Sequence, residues 1–356
     1  MHAAISGPCA WRGEEMQHSR RWIFEMSDGA LAEIDKALRA CQAQGIPWHE
    51  TTREAFPLPA LAGTLAAVAR ELEEGSGMAK LRHLPVERYT ADELRQIWFG
   101  IGSNLGRPLF QNRHGELMRE IRDEGPGIGE RYGEIRDERS GGQTVLSSYA
   151  RTLSNGALRF HTDRADVVGL LCAQQARAGG VSRLASSAAV HNEMLKRRPD
   201  LVELLYGDYV RSRFGEEATV PEDVYALPIF GVAGGKFTSH YSLTYIEMAQ
   251  MVPGTPPLSA AQRQAIDMLM ALAGELAFEM TLEAGDMQFL NNHVIYHGRT
   301  PFEDDAASGR ARLLYRLWLS LPNSRPLPAG QEVLWGTVAA GALRGGIGQC
   351  TQSAAS

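Results

Sequence analysis

Two residues near the middle of the chain could do metal chemistry together: His161 and Asp163, separated only by Thr162 in the stretch ALRFHTDRADVV. On an extended chain, side chains at i and i+2 point to one face, so the imidazole and the carboxylate look the same way and Thr162 the other. Two ligands alone do not hold a catalytic metal, and an isolated pair reads equally well as a surface imidazole–carboxylate hydrogen bond. A third ligand must come from elsewhere. His293 and His297, in GDMQFLNNHVIYHGRTPF, both qualify. They share a face if the segment is extended, whereas a turn at Asn291–Asn292 would redirect His293. Two imidazole nitrogens and one carboxylate suit iron(II) and leave adjacent positions open for an organic co-substrate and oxygen.

The elements that must position these residues can be read from periodicity. SDGALAEIDKALRACQAQG predicts a helix capped by Ser27, with Leu31, Ile34 and Leu38 on one stripe and Gly45 and Pro47 as its stop. LAGTLAAVARELEEG predicts a second helix, MAKLRHLPV a short strand, and TADELRQIWFGIGSNLG a third helix in which Thr90 and Glu93 have capping-box spacing. The charged, glycine-rich DEGPGIGERYGEIRDERSGG reads as a long loop. VVGLLCAQQARAGGVSRLASSAAV then gives two strands divided by a turn at Ala178–Gly180, and VHNEMLKRRPDLVELLYG is helical.

Short apolar pieces around Phe214, Tyr225, Leu227, Ile229 and Phe230 suit strands, and SAAQRQAIDMLMALAGELA is again helical. MTLEAGDMQFLNN, NHVIYHGRT and ARLLYRLWLSLP complete the strand set, with sharp turns at Gly285–Asp286 and DDAASG. The whole reads as one β-core with inserted and packed helices. No glycine-rich dinucleotide loop and no phosphate loop appears in the sequence.

Composition narrows the function classes. With 44% apolar and 22% charged residues over 356 positions, the chain is a folded globular protein of one large or two ordinary domains. A formal net charge of -6 argues against an obligate nucleic-acid surface. The four cysteines are far apart, which favours a reducing cytosol, and nothing in the sequence reads as a signal peptide or membrane span. A cytoplasmic protein acting on a small molecule is the expectation, with homo-oligomerisation left open. Residues 1–20 read as a flexible extension with Met16 as a candidate start, 21–335 as a single elaborated domain, and 336–356 as a flexible tail.

Five stations in order carry a resemblance: HTD at 161–163, RAGGVSRLAS at 177–186, GDMQFLNN, HGRTPF at 297–302 and RLLYRLW at 312–318. From roughly Ser148 to Pro322 the chain resembles the iron(II)/2-oxoglutarate dioxygenases, especially the branch with taurine dioxygenase and 2,4-dichlorophenoxyacetate dioxygenase. The resemblance implies a double-stranded β-helix, or jelly roll, mainly β with surrounding helices. It implies His161, Asp163 and His297 as the metal triad, with His297 favoured over His293 because it lies just before the exposed GR turn. It further implies Fe(II), 2-oxoglutarate as co-substrate and molecular oxygen, with succinate and carbon dioxide released as a substrate C–H bond is oxidised.

Within that resemblance Arg312 matches the clamp for the distal carboxylate of 2-oxoglutarate, since a guanidinium fork suits a carboxylate. Arg316, on the same face of the strand, either reinforces the clamp or meets substrate, and Arg310 is the fallback. Ser182 stands where relatives often have threonine and would donate to the same carboxylate. Asn292, Tyr296, His240 and Tyr241 are expected on the substrate side. A zinc or manganese hydrolase is one rival reading, which leaves the ordered stations unexplained. A non-catalytic metal-binding domain is another, against which the intact candidate ligands and the co-substrate arginine argue.

Overall fold

The computed structural model describes residues 2–137, 142–215, 217, 223–305, 307, 309 and 311–348. Two sheets form its centre. The larger, seven-stranded sheet contains β1 (Ile23–Glu25), β2 (Met78–Arg82), β3 (Arg107–Pro108), β4 (Met118–Ile121), β6 (Val167–Gln174), β9 (Met287–Asn291) and β11 (Leu313–Ser320). The smaller contains β5 (Leu158–His161), β7 (Ser182–Ser186), β8 (Phe278–Met280) and β10 (Ile295–Arg299). Spatial order is β1-β2-β9-β6-β11-β3 in the first, with β4 also on β11, and β8-β7-β10-β5 in the second. All these pairings are antiparallel except β1 with β2. This is the expected double-stranded β-helix with helices around it.

Period-2 alternation decides what each face does. On β11, Tyr315, Leu317 and Leu319 point outward into a core built with the helices Asp28–Ala43, Ala62–Glu74 and Ala91–Leu105. Leu314 and Trp318 point inward, where Val168 and Cys172 of β6 meet Leu184 of β7 and Ile295 of β10. On the far side, Phe160, Ala185 and Tyr296 pack beneath the helices Ser187–Arg197, Pro199–Leu205 and Ala260–Glu275. The inner space between the sheets is therefore reserved for the opposite residues of the same strands, which include His161, His297, Arg299 and Arg316. The capping box at Thr90 and Glu93 forms as its spacing predicts.

Three expectations are corrected. The segment read as a long loop contains a helix at Ile128–Tyr132 and a hairpin of Glu134–Asp137 with Gln143–Leu146; Ile128 and Leu146 pack with Tyr149 and Leu153, contacts that the charged composition hides. The N-terminal extension is packed: Trp11 and Met16 are buried with the inner core, and Trp11 Nε1 donates to the Ser76 carbonyl at 2.8 Å. The tail is also packed as far as it is described, with Ile347 buried; residues 349–356 lie outside the described residues. Among the described residues no helix is long and apolar enough to cross a membrane.

The tail is fastened through charge. Buried Arg344 donates from Nε to Asp166 Oδ1 at 2.8 Å, and the same carboxylate accepts from His293, Ser320 and the Leu321 backbone. Asp166 follows Asp163 by one helical-turn length of chain, so this knot secures the loop that carries the metal carboxylate. Removing one partner of a buried ion pair strands the other charge, at a cost of roughly 3 kcal/mol. Arg344→Ala is expected to lower unfolding free energy by about that amount in urea titration; a change within measurement error would show that the tail does not secure the core.

Candidate metal centre

β5 and β10 run antiparallel with His161 opposite His297, and their ring centroids are 4.3 Å apart. Asp163 follows in the turn after β5, with its backbone N–H donating to Asn292 Oδ1 at 3.0 Å while Asn292 Nδ2 donates to the Ala165 carbonyl. One ligand atom from each of His161, Asp163 and His297 lies within 4.8 Å of the others. His161 Nε2 is 3.8 Å from Asp163 Oδ1, and His297 Nε2 is 3.7 Å from Oδ2. The Arg159 carbonyl, 2.8 Å from His161 Nδ1, can only accept, which puts the proton on Nδ1 and leaves the Nε2 lone pair for a cation.

Electrostatics fit the same reading. Burial alone would raise the Asp163 carboxyl, but the Arg316 guanidinium, with the Trp318 hydrogen bond, holds it below the usual carboxylate range. Trp318 Nε1 donates to Asp163 Oδ2 at 3.0 Å, and Arg316 Nη1 stands 3.9 Å from the same oxygen. Burial, and then the neighbouring His161, push His297 down to about 3, so its ring stays neutral and able to coordinate. Two imidazoles and one ionised carboxylate converging on one point suit a divalent cation.

The triad opens into a cavity between the sheets, lined by Ser182, Gln288, Arg299, Arg312 and Arg316 as well as the three candidate ligands. Arg312 is buried; its guanidinium lies 5.1 Å over the Phe302 ring, and its Nη1 has no partner. Burial pushes it down to about 10, the mark of a cation held away from water without a paired carboxylate. The paired glycines of the RAGG turn make room for it. Gly179 and Gly180 both adopt positive φ, and a Cβ on Gly180 would sit 3.0 Å from Arg312 Nε. Arg316 is held differently, exchanging hydrogen bonds with Gln111 through its Nε and its own carbonyl.

The structure brings His161, Asp163, His297, Ser182, Arg312 and Arg316 to one cavity. It does not bring the four residues expected on the substrate side. Tyr296 alternates with His297, so it faces the outer helices and bonds Ser239. Tyr241 packs in that outer cluster, and Asn292 spends its amide on the Asp163 turn. His240 is buried against Thr162 and lines a separate small pocket with Arg164 and Glu217. These expectations are corrected. His293 is likewise turned away from the triad, into the Asp166 knot, where burial pushes it down to about 4. Arg310 lies outside the described residues.

Four site residues escaped the sequence reading. Arg299 is two positions after His297 on an extended strand and Gln288 is two positions before the inward-facing Leu290, so strand period alone would have put both inside. Trp318 shares the inner face of β11 with Arg316. Gln111 had no local signal, being 205 residues from the arginine it orients.

A metal triad of this kind at the mouth of a cavity between the two sheets of a jelly roll defines an iron(II)- and 2-oxoglutarate-dependent dioxygenase. Residues 44–318 match the Taurine catabolism dioxygenase TauD, TfdA family, and the chain belongs to that family. It is 29% identical over 345 residues to FR-33289 synthase of Streptomyces rubellomurinus, covering 94% of this chain and 96% of that one. It is 30% identical over 321 residues to taurine hydroxylase-like protein SAT17 of Stachybotrys chartarum, covering 88% and 79%. In fold it is similar to an asparagine oxygenase solved with Fe(II), 2S,3S-3-hydroxyasparagine and succinate, at TM-score 0.63 and 18% identity over 84% of this chain and 93% of the other. The non-heme iron oxygenase OrfP with Fe and alpha-ketoglutaric acid is similar at TM-score 0.60 and 14% identity, over 90% and 99%.

His161→Ala, Asp163→Ala and His297→Ala are each expected to abolish stoichiometric iron(II) binding in anaerobic equilibrium dialysis while keeping the circular dichroism of the apo fold. His293→Ala should keep metal stoichiometry and lose stability instead. Full binding by the His297 variant, with loss in the His293 variant, would reverse the assignment.

Proposed function

We propose that this dioxygenase hydroxylates a small organic metabolite or natural-product intermediate, with 2-oxoglutarate seated in the cavity between the triad and Arg312. The observation that carries the reading is the pairing of a two-imidazole, one-carboxylate donor set with a buried, unpaired guanidinium at the other side of one cavity. A hydrolase needs the first and has no use for the second. His161, Asp163 and His297 would hold Fe(II). When bound, the iron supplies oxygen activation coupled to conversion of 2-oxoglutarate to succinate and carbon dioxide.

The chain's own residues do the rest. Arg312 orients the distal carboxylate through a charge-assisted fork, and Ser182 offers a hydroxyl beside it. Arg316 keeps Asp163 ionised and adds positive charge near the carboxylate that faces the metal. Leu158, Val168, Leu170 and Leu314 wall the cavity and exclude water from the reacting centre. The substrate approaches from the His161 side. A cleft lined by Arg151, Arg159, Leu243 and Glu247 narrows to a well that reaches Thr152 and His161. Arg159 is neutralised there by a two-point contact with Glu247, at 2.9 and 2.6 Å. Arg151 bonds the Leu146 carbonyl, and that leaves its charge to meet an anionic group on the substrate. Cys9, Cys41 and Cys172 are free thiols, in keeping with action in the reducing cytosol.

The test is a panel of carboxylates, amino acids and sulfonates given to iron-loaded protein, following succinate and the oxidised organic product together. Arg312→Ala is expected to retain iron and lose roughly a hundredfold in 2-oxoglutarate affinity, measured without oxygen, with Arg312→Lys recovering only part. A panel product formed at full rate without 2-oxoglutarate would contradict the reading. So would unchanged affinity in both the Arg312 and Arg316 variants.

A further inference from the structure

Arg299 is a third arginine inside the same cavity, beside Arg312 and Arg316, and the co-substrate role proposed for Arg312 does not use it. It lies two residues beyond His297 on β10, so the strand that presents the distal candidate ligand presents a guanidinium to the same interior. A register shift between β10 and β5 pairs Arg299 with Leu158, which also lines the cavity. Arg299 is only 4% exposed. Its Nη2 donates to the carbonyls of Ser154 and Gly156, both at 2.6 Å, which fixes the plane of the guanidinium. Its Nε and Nη1 are buried and have no partner, as does Nη1 of Arg312.

The two arginines share a support. Their guanidinium carbons lie 4.8 Å and 5.1 Å from the centroid of the Phe302 ring. Among the described residues neither forms an ion pair with a carboxylate, and Asp304 accepts only from the Arg312 backbone N–H. Two unpaired like charges against one buried ring are costly unless an anion joins them. A carboxylate has two oxygens and about four acceptor sites, enough for N–H groups from both guanidiniums.

We propose that Arg299 and Arg312 together form the seat for the distal carboxylate of the 2-oxo dicarboxylic acid co-substrate, Arg299 being a specificity-determining residue for that second carboxylate. This rests on the reading that 2-oxoglutarate occupies the cavity. The bland alternative is that Arg299 only staples the 154–156 turn. That accounts for Nη2 and leaves Nε and Nη1 without a purpose. The staple and the seat also predict different ligand dependence, because a staple has no means of sensing the far end of the co-substrate.

The experiment compares 2-oxoglutarate with 2-oxovalerate, which keeps the metal-chelating end and the chain length but lacks the distal carboxylate. Equilibrium binding of each is measured by calorimetry on manganese(II)-loaded protein, with apo-protein melting temperature as a fold control. Arg299→Gln is expected to weaken 2-oxoglutarate by about thirtyfold and leave 2-oxovalerate nearly unchanged. Arg299→Lys, which keeps the charge with fewer fixed donors, should narrow the same preference by a smaller factor and carries the test if the Gln variant does not fold. Equal weakening of both ligands, or an unchanged preference in the Lys variant, overturns the seat in favour of the staple. Failure of the wild-type protein to prefer 2-oxoglutarate over 2-oxovalerate would instead overturn the co-substrate reading beneath it.

Discussion

Buried positive charge on the inner faces of two strands is the constraint around which the rest of this structure is arranged. β10 and β11 place Arg299 and Arg316 between the sheets, with Arg312 immediately before β11, in a space walled in part by leucine and valine. Guanidinium groups enter such a space only if anions or fixed dipoles meet them. Arg316 has Asp163 nearby and Gln111 as a hydrogen-bond partner. Arg299 and Arg312 keep N–H groups free, and a dianionic co-substrate seated in the cavity beside them, as proposed, would complete the charge balance.

The carboxylate of the triad is held from three directions, which explains how a residue in a turn keeps ligand geometry. Asn292 fixes its backbone, Trp318 donates to one oxygen, and Arg316 keeps it ionised. Behind it, Asp166 gathers His293, Arg344 and Ser320 into a buried knot that ties the C-terminal segment to the same turn. Two carboxylates three positions apart thus have opposite assignments. Asp163 turns an oxygen toward the imidazoles of the triad, while Asp166 is saturated by protein donors.

Much of this was legible in the sequence because it depends on local period and spacing. The HTD pair, the helix caps at Ser27 and Thr90, and the shared face of Arg312 and Arg316 follow from alternation and capping chemistry. What was not legible depends on long-range pairing. Nothing in the tail's small-residue composition announces that Arg344 reaches Asp166, 178 residues away. Nor does local pattern reveal that Gln111 serves Arg316, or that Thr162 contributes its hydroxyl to His240. The assignment of Tyr296 to the substrate side failed for a simpler reason: adjacent residues on a strand face opposite ways, and His297 already occupies the inner face. Arg299 was available to the same argument, two residues from His297, and was overlooked.

The central claim is that one cavity holds the metal at His161, Asp163 and His297 and the co-substrate's far end at the arginines. A crystal structure of the protein soaked with manganese(II) and 2-oxoglutarate without oxygen tests it most directly, with anomalous scattering locating the metal. The account predicts one manganese bound by those three side chains, and the distal carboxylate against Arg312. Manganese at His293 and Asp166 or at His240, or 2-oxoglutarate bound outside the cavity lined by Ser182 and Arg312, would contradict it.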